Sequence, residues 1–108
     1  MTVDTSIAPC CSPRLAGHVQ SGRAEAVAEF AKLLADPIRV QILDVLRGHE
    51  EEVCQCELQP LFGVSQPTLS HHMRKLQEAG VVSAERRGRW AYYSIEPDSL
   101  EVLSEWLS

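Results

Sequence analysis

A chain of 108 residues with a net charge of −5 and four cysteines has room for one modest core, and burial against an identical subunit would be a natural supplement. Its longest apolar runs, such as Gly80-Val81-Val82, fall far short of the ~20 residues that span a bilayer, and no apolar signal-peptide core follows Met1, so a cytoplasmic protein without membrane attachment is expected. In that compartment thiols stay reduced, which favours metal binding or redox sensing over a disulfide framework.

Residues 1–22 mix Thr, Ser, Pro and Gly with little periodicity and are expected to form a flexible arm carrying Cys10 and Cys11; residues 23–108 make the folded domain. Val27, Phe30, Ala31 and Leu34 follow helical spacing up to Asp36-Pro37. Pro37 suits the first turn of a second helix, which carries Ile38, Ile42, Val45 and Leu46 inward and stops at Gly48. A short third helix holds Leu58, Leu61 and Phe62 and closes at Gly63, whose freedom at positive φ suits a C-cap. Since proline is tolerated only in a first turn, Pro60 places the start of this helix near Cys56 or Glu57, with Cys54 at or just before it.

Ser65 makes an N-cap for a fourth helix that runs to Ala79 and buries Leu69, Met73 and Leu76. Residues 81–86 and 89–95 are rich in Val, Trp, Tyr and Ile and read as a hairpin turning at Arg87-Gly88, with either Trp90 and Tyr92 or Ala91 and Tyr93 facing the core. From Pro97 a fifth helix carries Leu100, Leu103, Trp106 and Leu107. The expected fold is mainly α with a β-hairpin wing: a winged helix-turn-helix of four helices, a hairpin and a final helix.

Charge is unevenly placed. Between Ser65 and Ile95 stand Arg74, Lys75, Arg86, Arg87 and Arg89 against only Glu78 and Glu85, a basic face on an acidic body. In a helix-turn-helix the second helix enters the major groove. There Ser65, Gln66, Thr68, Ser70, His71, Arg74 and Lys75 offer amides and hydroxyls for base edges and cations for phosphates, and the tip formed by Arg86, Arg87 and Arg89 adds a cationic wing. Double-stranded operator DNA is the expected partner.

Cys54-Gln55-Cys56 would point its thiols about 200° apart on a regular helix, but an unfinished helix start can turn both toward one ion, and the helix dipole should lower their pKa values. Cys10 and Cys11 can add ligands from the arm. Three sulfurs suit As(III) or Sb(III), and four suit Cd(II), Pb(II) or Zn(II). Neighbouring His71 and His72 project about 100° apart and are poorly placed to share an ion, so they read as one DNA-facing and one packing residue. Glu50-Glu51-Glu52 reads as a solvated acidic run, and His18 and His49 as isolated solvated histidines.

The segments Ala35-Asp36-Pro37-Ile38-Arg39-Val40-Gln41-Ile42-Leu43, Ser65-Gln66-Pro67-Thr68-Leu69-Ser70-His71-His72 and Glu78-Ala79-Gly80-Val81-Val82 together resemble the ArsR/SmtB family of metal-sensing repressors over about residues 24–107. The resemblance implies a homodimer built mainly from the first and last helices, with Val27, Phe30, Leu100, Leu103, Trp106 and Leu107 at its interface. Such a dimer would bind an imperfect palindrome and leave it when metal binds. Known arsenite sensors of this type carry a third cysteine where this chain has Gln59, which leaves the third thiolate to the arm. Cadmium and lead sensors have arm cysteines spaced apart, whereas adjacent Cys10 and Cys11 look more like actinobacterial-type arsenic sensors.

That resemblance favours As(III) or Sb(III) as inducer, with Cd(II) or Pb(II) as the alternative. No histidine follows His72, so the zinc site some relatives carry on the final helix is not expected. A redox-responsive repressor on the same fold is a nearer alternative, and a small thiol reductase a more distant one. The chain has no Cys-x-x-Cys or phosphate-cradling glycine loop to support an enzyme.

Overall fold

The computed structural model describes residues 21–108. Helix α1 (Ser21–Leu33) includes Ser21 and Gly22, two residues that the sequence reading assigned to the arm, and buries Val27, Phe30 and Leu33. Helix α2 (Pro37–Arg47) begins as its sequence dictates: the Asp36 carboxylate accepts the Ile38 N–H at 2.9 Å, and Pro37 occupies the first turn. Leu43 is buried beside Ile42 and Leu46, while Ile38 and Val45 are half-buried at the core's edge.

A two-residue strand, β1 (Val53–Cys54), leads directly into the four-residue helix α3 (Gln55–Leu58), and a 3-10 turn (Gln59–Leu61) completes this segment. Gly63 does not take the expected left-handed conformation; Gly80 and Gly88 alone have positive φ among the described residues. The turn into α4 (Gln66–Glu78) is instead held by Gln59, whose amide Nε2 donates to the Val64 carbonyl at 2.7 Å.

Helix α4 ends where a left-handed glycine is required. Gly80 has φ +76°, Val81 N–H donates back to Leu76 O and Gly80 N–H to Gln77 O, each at 3.0 Å. This is the Schellman arrangement, and its apolar closure is supplied by Leu76 and Val81, both in the core.

Strands β2 (Val82–Arg87) and β3 (Trp90–Ile95) pair antiparallel. Arg87 faces Trp90, so the two loop residues are Gly88 and Arg89, one position later than expected. Gly88 at φ +65° followed by a residue without positive φ fits a II′ turn. Ala91 and Tyr93 face the core, and Trp90 is exposed. Beyond the hairpin, β1 adds a third strand against β3, pairing Val53 with Tyr93 and Cys54 with Tyr92.

A 3-10 turn (Pro97–Leu100) then opens the last segment, and only Glu101–Leu107 is α-helical (α5). The core lies between α1, α2, α4 and the sheet, with Ile42, Leu58, Leu69, Met73, Leu76, Val81 and Val82 almost wholly buried. No helix among the described residues is long and apolar enough to cross a membrane.

Candidate nucleic-acid interface and thiol site

Helix α4 is anchored from below and open above. Leu69, Met73 and Leu76 are fully buried, and His72 turns inward until its Nδ1 stands 3.8 Å from the Asp36 carboxylate that caps α2. Gln66, Thr68, His71, Arg74 and Lys75 stay exposed. Ser65 works as the cap: its Oγ accepts the Thr68 N–H at 3.4 Å and donates to Thr68 Oγ1 at 3.0 Å. Ser70 is half-buried, and its hydroxyl accepts a 2.8 Å hydrogen bond from Gln55.

The wing's three arginines differ in their surroundings. Arg86 reaches the Arg89 carbonyl at 3.3 Å and Arg89 lies over the Trp90 ring, so among the described residues neither cation at the tip has a carboxylate partner. Arg87 instead binds Glu52 at 2.6 Å and Glu85 at 3.1 Å and stacks on Tyr92. Those hydrogen bonds, Glu85's first, raise its pKa further above the ordinary guanidinium value.

The thiol motif lies against the same surface. Cys54 is the N-cap of α3: its Sγ accepts the Cys56 N–H at 3.3 Å, while Glu57 Oε1 accepts the Cys54 N–H at 3.0 Å. This reciprocal pair is a capping box with sulfur in place of the usual hydroxyl. Cys54 is 3% exposed and Cys56 is open to solvent, so the pair has one sheltered and one accessible sulfur at the same helix start. A cleft of about 440 Å³ joins Cys56 to Gln66 and Ser70 of α4 and to Arg86 and Trp90 of the wing.

The expected lowering of both thiol pKa values does not hold for Cys56. Its hydrogen bond with Cys54 raises it, desolvation and the charges of Cys54 and Glu57 add to the rise, and the backbone hydrogen bond opposes them without prevailing. A four-residue helix has little dipole to set against a neighbouring sulfur. Among the described residues no group of three or more His, Cys, Asp or Glu is placed to hold an ion; Cys10, Cys11 and His18 lie outside them.

This architecture has close parallels among known proteins. Residues 36–84 match the family described as bacterial regulatory protein, arsR family. The arsenic resistance transcriptional regulator ArsR1 of Pseudomonas putida is 40% identical over 71% of this chain and 68% of its own length. The chain belongs to the arsR family. It is similar also to the cadmium resistance transcriptional regulatory protein CadC of Listeria innocua, at 37% identity over 65% of this chain and 58% of that protein. The crystal structure of another ArsR family transcriptional regulator superposes with a TM-score of 0.70 at 25% identity, over 78% of this chain and 84% of that one.

Membership of the arsR family makes this a DNA-binding transcriptional regulator on a winged helix fold, not an enzyme. Within that frame the structure brings the thiol pair, α4 and the wing to one side. Nothing in the sequence signals the hydrogen bonds by which Gln55, Gln59 and Tyr93 tie these parts together.

The arginine environments yield a test on the ArsR-family wing. Replacing Arg89 with Ala is expected to weaken operator binding at every sequence and to lower the slope of log affinity against log salt by about 1. Arg87→Ala removes a charge already met by two carboxylates and should change that slope by less than about half as much. Fluorescence anisotropy across a salt series reads both; equal slopes in the two variants would refute the distinction.

Proposed function

We propose that the chain is a metal(loid)-responsive repressor which, as a homodimer, holds operator DNA with α4 and the wing and releases it when Cys54 and Cys56 capture a thiophilic ion. The single observation that carries this reading is the place of the pair: one cysteine ends a strand of the wing sheet, the other lies in the cleft beside the reading helix. Two soft sulfurs, with no hard ligand cluster beside them among the described residues, suit As(III) or Sb(III), with a third thiolate drawn from Cys10 or Cys11. Relatives named for arsenic and for cadmium resistance support an ion of this soft class.

Dimerisation is assigned to the α1 and α5 side. Val27 and Phe30 are already buried within the protomer, so the surface left for a second copy is the exposed Trp106 and Leu107, with Leu100 and Leu103 half-buried behind them. A groove of about 670 Å³ lined by Phe30, Leu34, Val40, Leu103 and Leu107 continues that apolar face.

Proton release on binding distinguishes the two ion classes. A thiol that remains protonated at neutral pH must lose its proton to bind Cd(II) or Pb(II), so affinity for these rises with pH, by up to about tenfold per unit for each proton released, until the thiol's own pKa is passed. Exchange of a thiol for a hydroxide on arsenite releases water and no net proton. The arsenite concentration needed for release should therefore change by less than about threefold between pH 6.5 and 7.5, while that for Cd(II) falls about tenfold or more.

The deciding experiment titrates As(III), Sb(III), Cd(II), Pb(II) and Zn(II) into reduced full-length protein on a palindromic operator. As(III) and Sb(III) are expected to release at the lowest concentrations. First place for Cd(II) or Pb(II) would move the assignment to those ions, release by peroxide alone would make the protein a redox sensor, and no release by any ion would end the thiol reading.

A further inference from the structure

Gln55 stands between the two cysteines at the first position of α3, and its amide is engaged at both ends by the two elements that face DNA. Nε2 donates to Ser70 Oγ on α4 at 2.8 Å, and Oε1 accepts the Tyr93 hydroxyl from β3 at 3.2 Å. Gln55 and Ser70 are half-buried and Tyr93 is 6% exposed, so these bonds lie largely out of competition with water. Burial also raises the Tyr93 pKa, which keeps its hydroxyl a donor.

Other ties between the thiol segment and the DNA-facing elements differ in kind. The Glu52–Arg87 ion pair is exposed and of the sort that contributes little, and the β1–β3 ladder is backbone pairing that would accept any side chain at position 55. The Gln55 amide lies inside the Cys-x-Cys itself and touches α4 and the wing together. Its backbone is also the only residue between the two sulfurs, so moving both cysteines toward a common point rotates Gln55 with them.

We infer that Gln55 is the positioning residue that couples thiol occupancy to DNA affinity, holding Ser70 and Tyr93 on one amide when the sulfurs are free and giving up that grip when they are gathered. This deepens the thiol-sensing reading and rests on it. By linkage, whatever grip is lost on ion capture is also what operator DNA holds against the ion.

The test uses full-length protein carrying Gln55→Leu, Ser70→Ala or both, with operator affinity measured in the absence and presence of saturating sodium arsenite. Each single variant is expected to cut the wild-type ratio of those affinities by roughly tenfold, and arsenite affinity in the absence of DNA should stay level or rise, never fall, because the bond no longer has to be broken on capture. Combining the two should add little, because both remove the same bond. Gln55→Glu, whose carboxylate can accept from both hydroxyls, should restore most of the ratio, a rescue that a merely structural role would not require. A wild-type ratio in Gln55→Leu, or fully additive effects of the two substitutions, overturns the inference while leaving the thiol sensor intact. A wild-type protein indifferent to arsenite and to cadmium chloride overturns both.

Discussion

Cys54→Ser is expected to leave a folded, operator-binding protein that no longer answers to arsenite. Serine is among the best N-cap residues, and its hydroxyl can accept the Cys56 N–H that the sulfur now accepts, so thermal stability should stay within about 1 kcal/mol of wild type. What it cannot do is give a soft, polarisable anion to a thiophile. Release should require at least about 100-fold more arsenite, or fail altogether, and Cys56→Ser should do the same from its exposed position. Operator release at unchanged arsenite concentration in either variant would show that capture occurs elsewhere.

A comparably large effect, of a different kind, is expected from Leu69→Ala. Leu69 has no exposed surface and seats α4 on the core beneath that helix's exposed polar face. Removing its side chain should cost about 2–5 kcal/mol, a large part of the 5–15 kcal/mol that holds a domain of this kind together. Urea denaturation should show the midpoint falling steeply. Leu61→Ala provides the contrast: at 61% exposure in the turn before α4, it should shift stability by less than about 0.5 kcal/mol. Equal midpoints for the two variants would contradict the packing described.

Much of the architecture is legible in the sequence wherever a residue has one physical use. Pro60 placed the start of a third helix near Cys56 or Glu57; α3 instead begins at Gln55 with Cys54 as its cap, and Pro60 lies in the 3-10 turn that follows, so the proline marks where the α-helix stops. Asp36-Pro37 and Ser65 marked helix starts that the structure keeps. Elsewhere local signals were ambiguous or silent. A glycine can be the first or second residue of a two-residue turn, and Gly88 proved to be the first. Gly63 offered a left-handed cap where a distant amide, Gln59, does the holding instead.

The third strand could not be read, because Val53 and Cys54 are too short to show a period and their pairing is set by Tyr92 and Tyr93, far along the chain. For the same reason Gln55 was invisible. Its hydrogen-bond partners lie 15 and 38 positions away, and nothing in the composition of Cys-x-Cys announces them. The pKa of Cys56 likewise depends on a neighbouring sulfur and carboxylate whose approach only the folded chain defines.

The short strand that ends in Cys54 also bears on timing. On the proposed reading, capture at Cys54 acts on a residue already paired with Tyr92 of the wing sheet, so the step from sulfur to wing needs only side-chain and loop movements, which run in nanoseconds to microseconds. That step would not limit the response; arrival of the ion and of the third thiolate at the pair would.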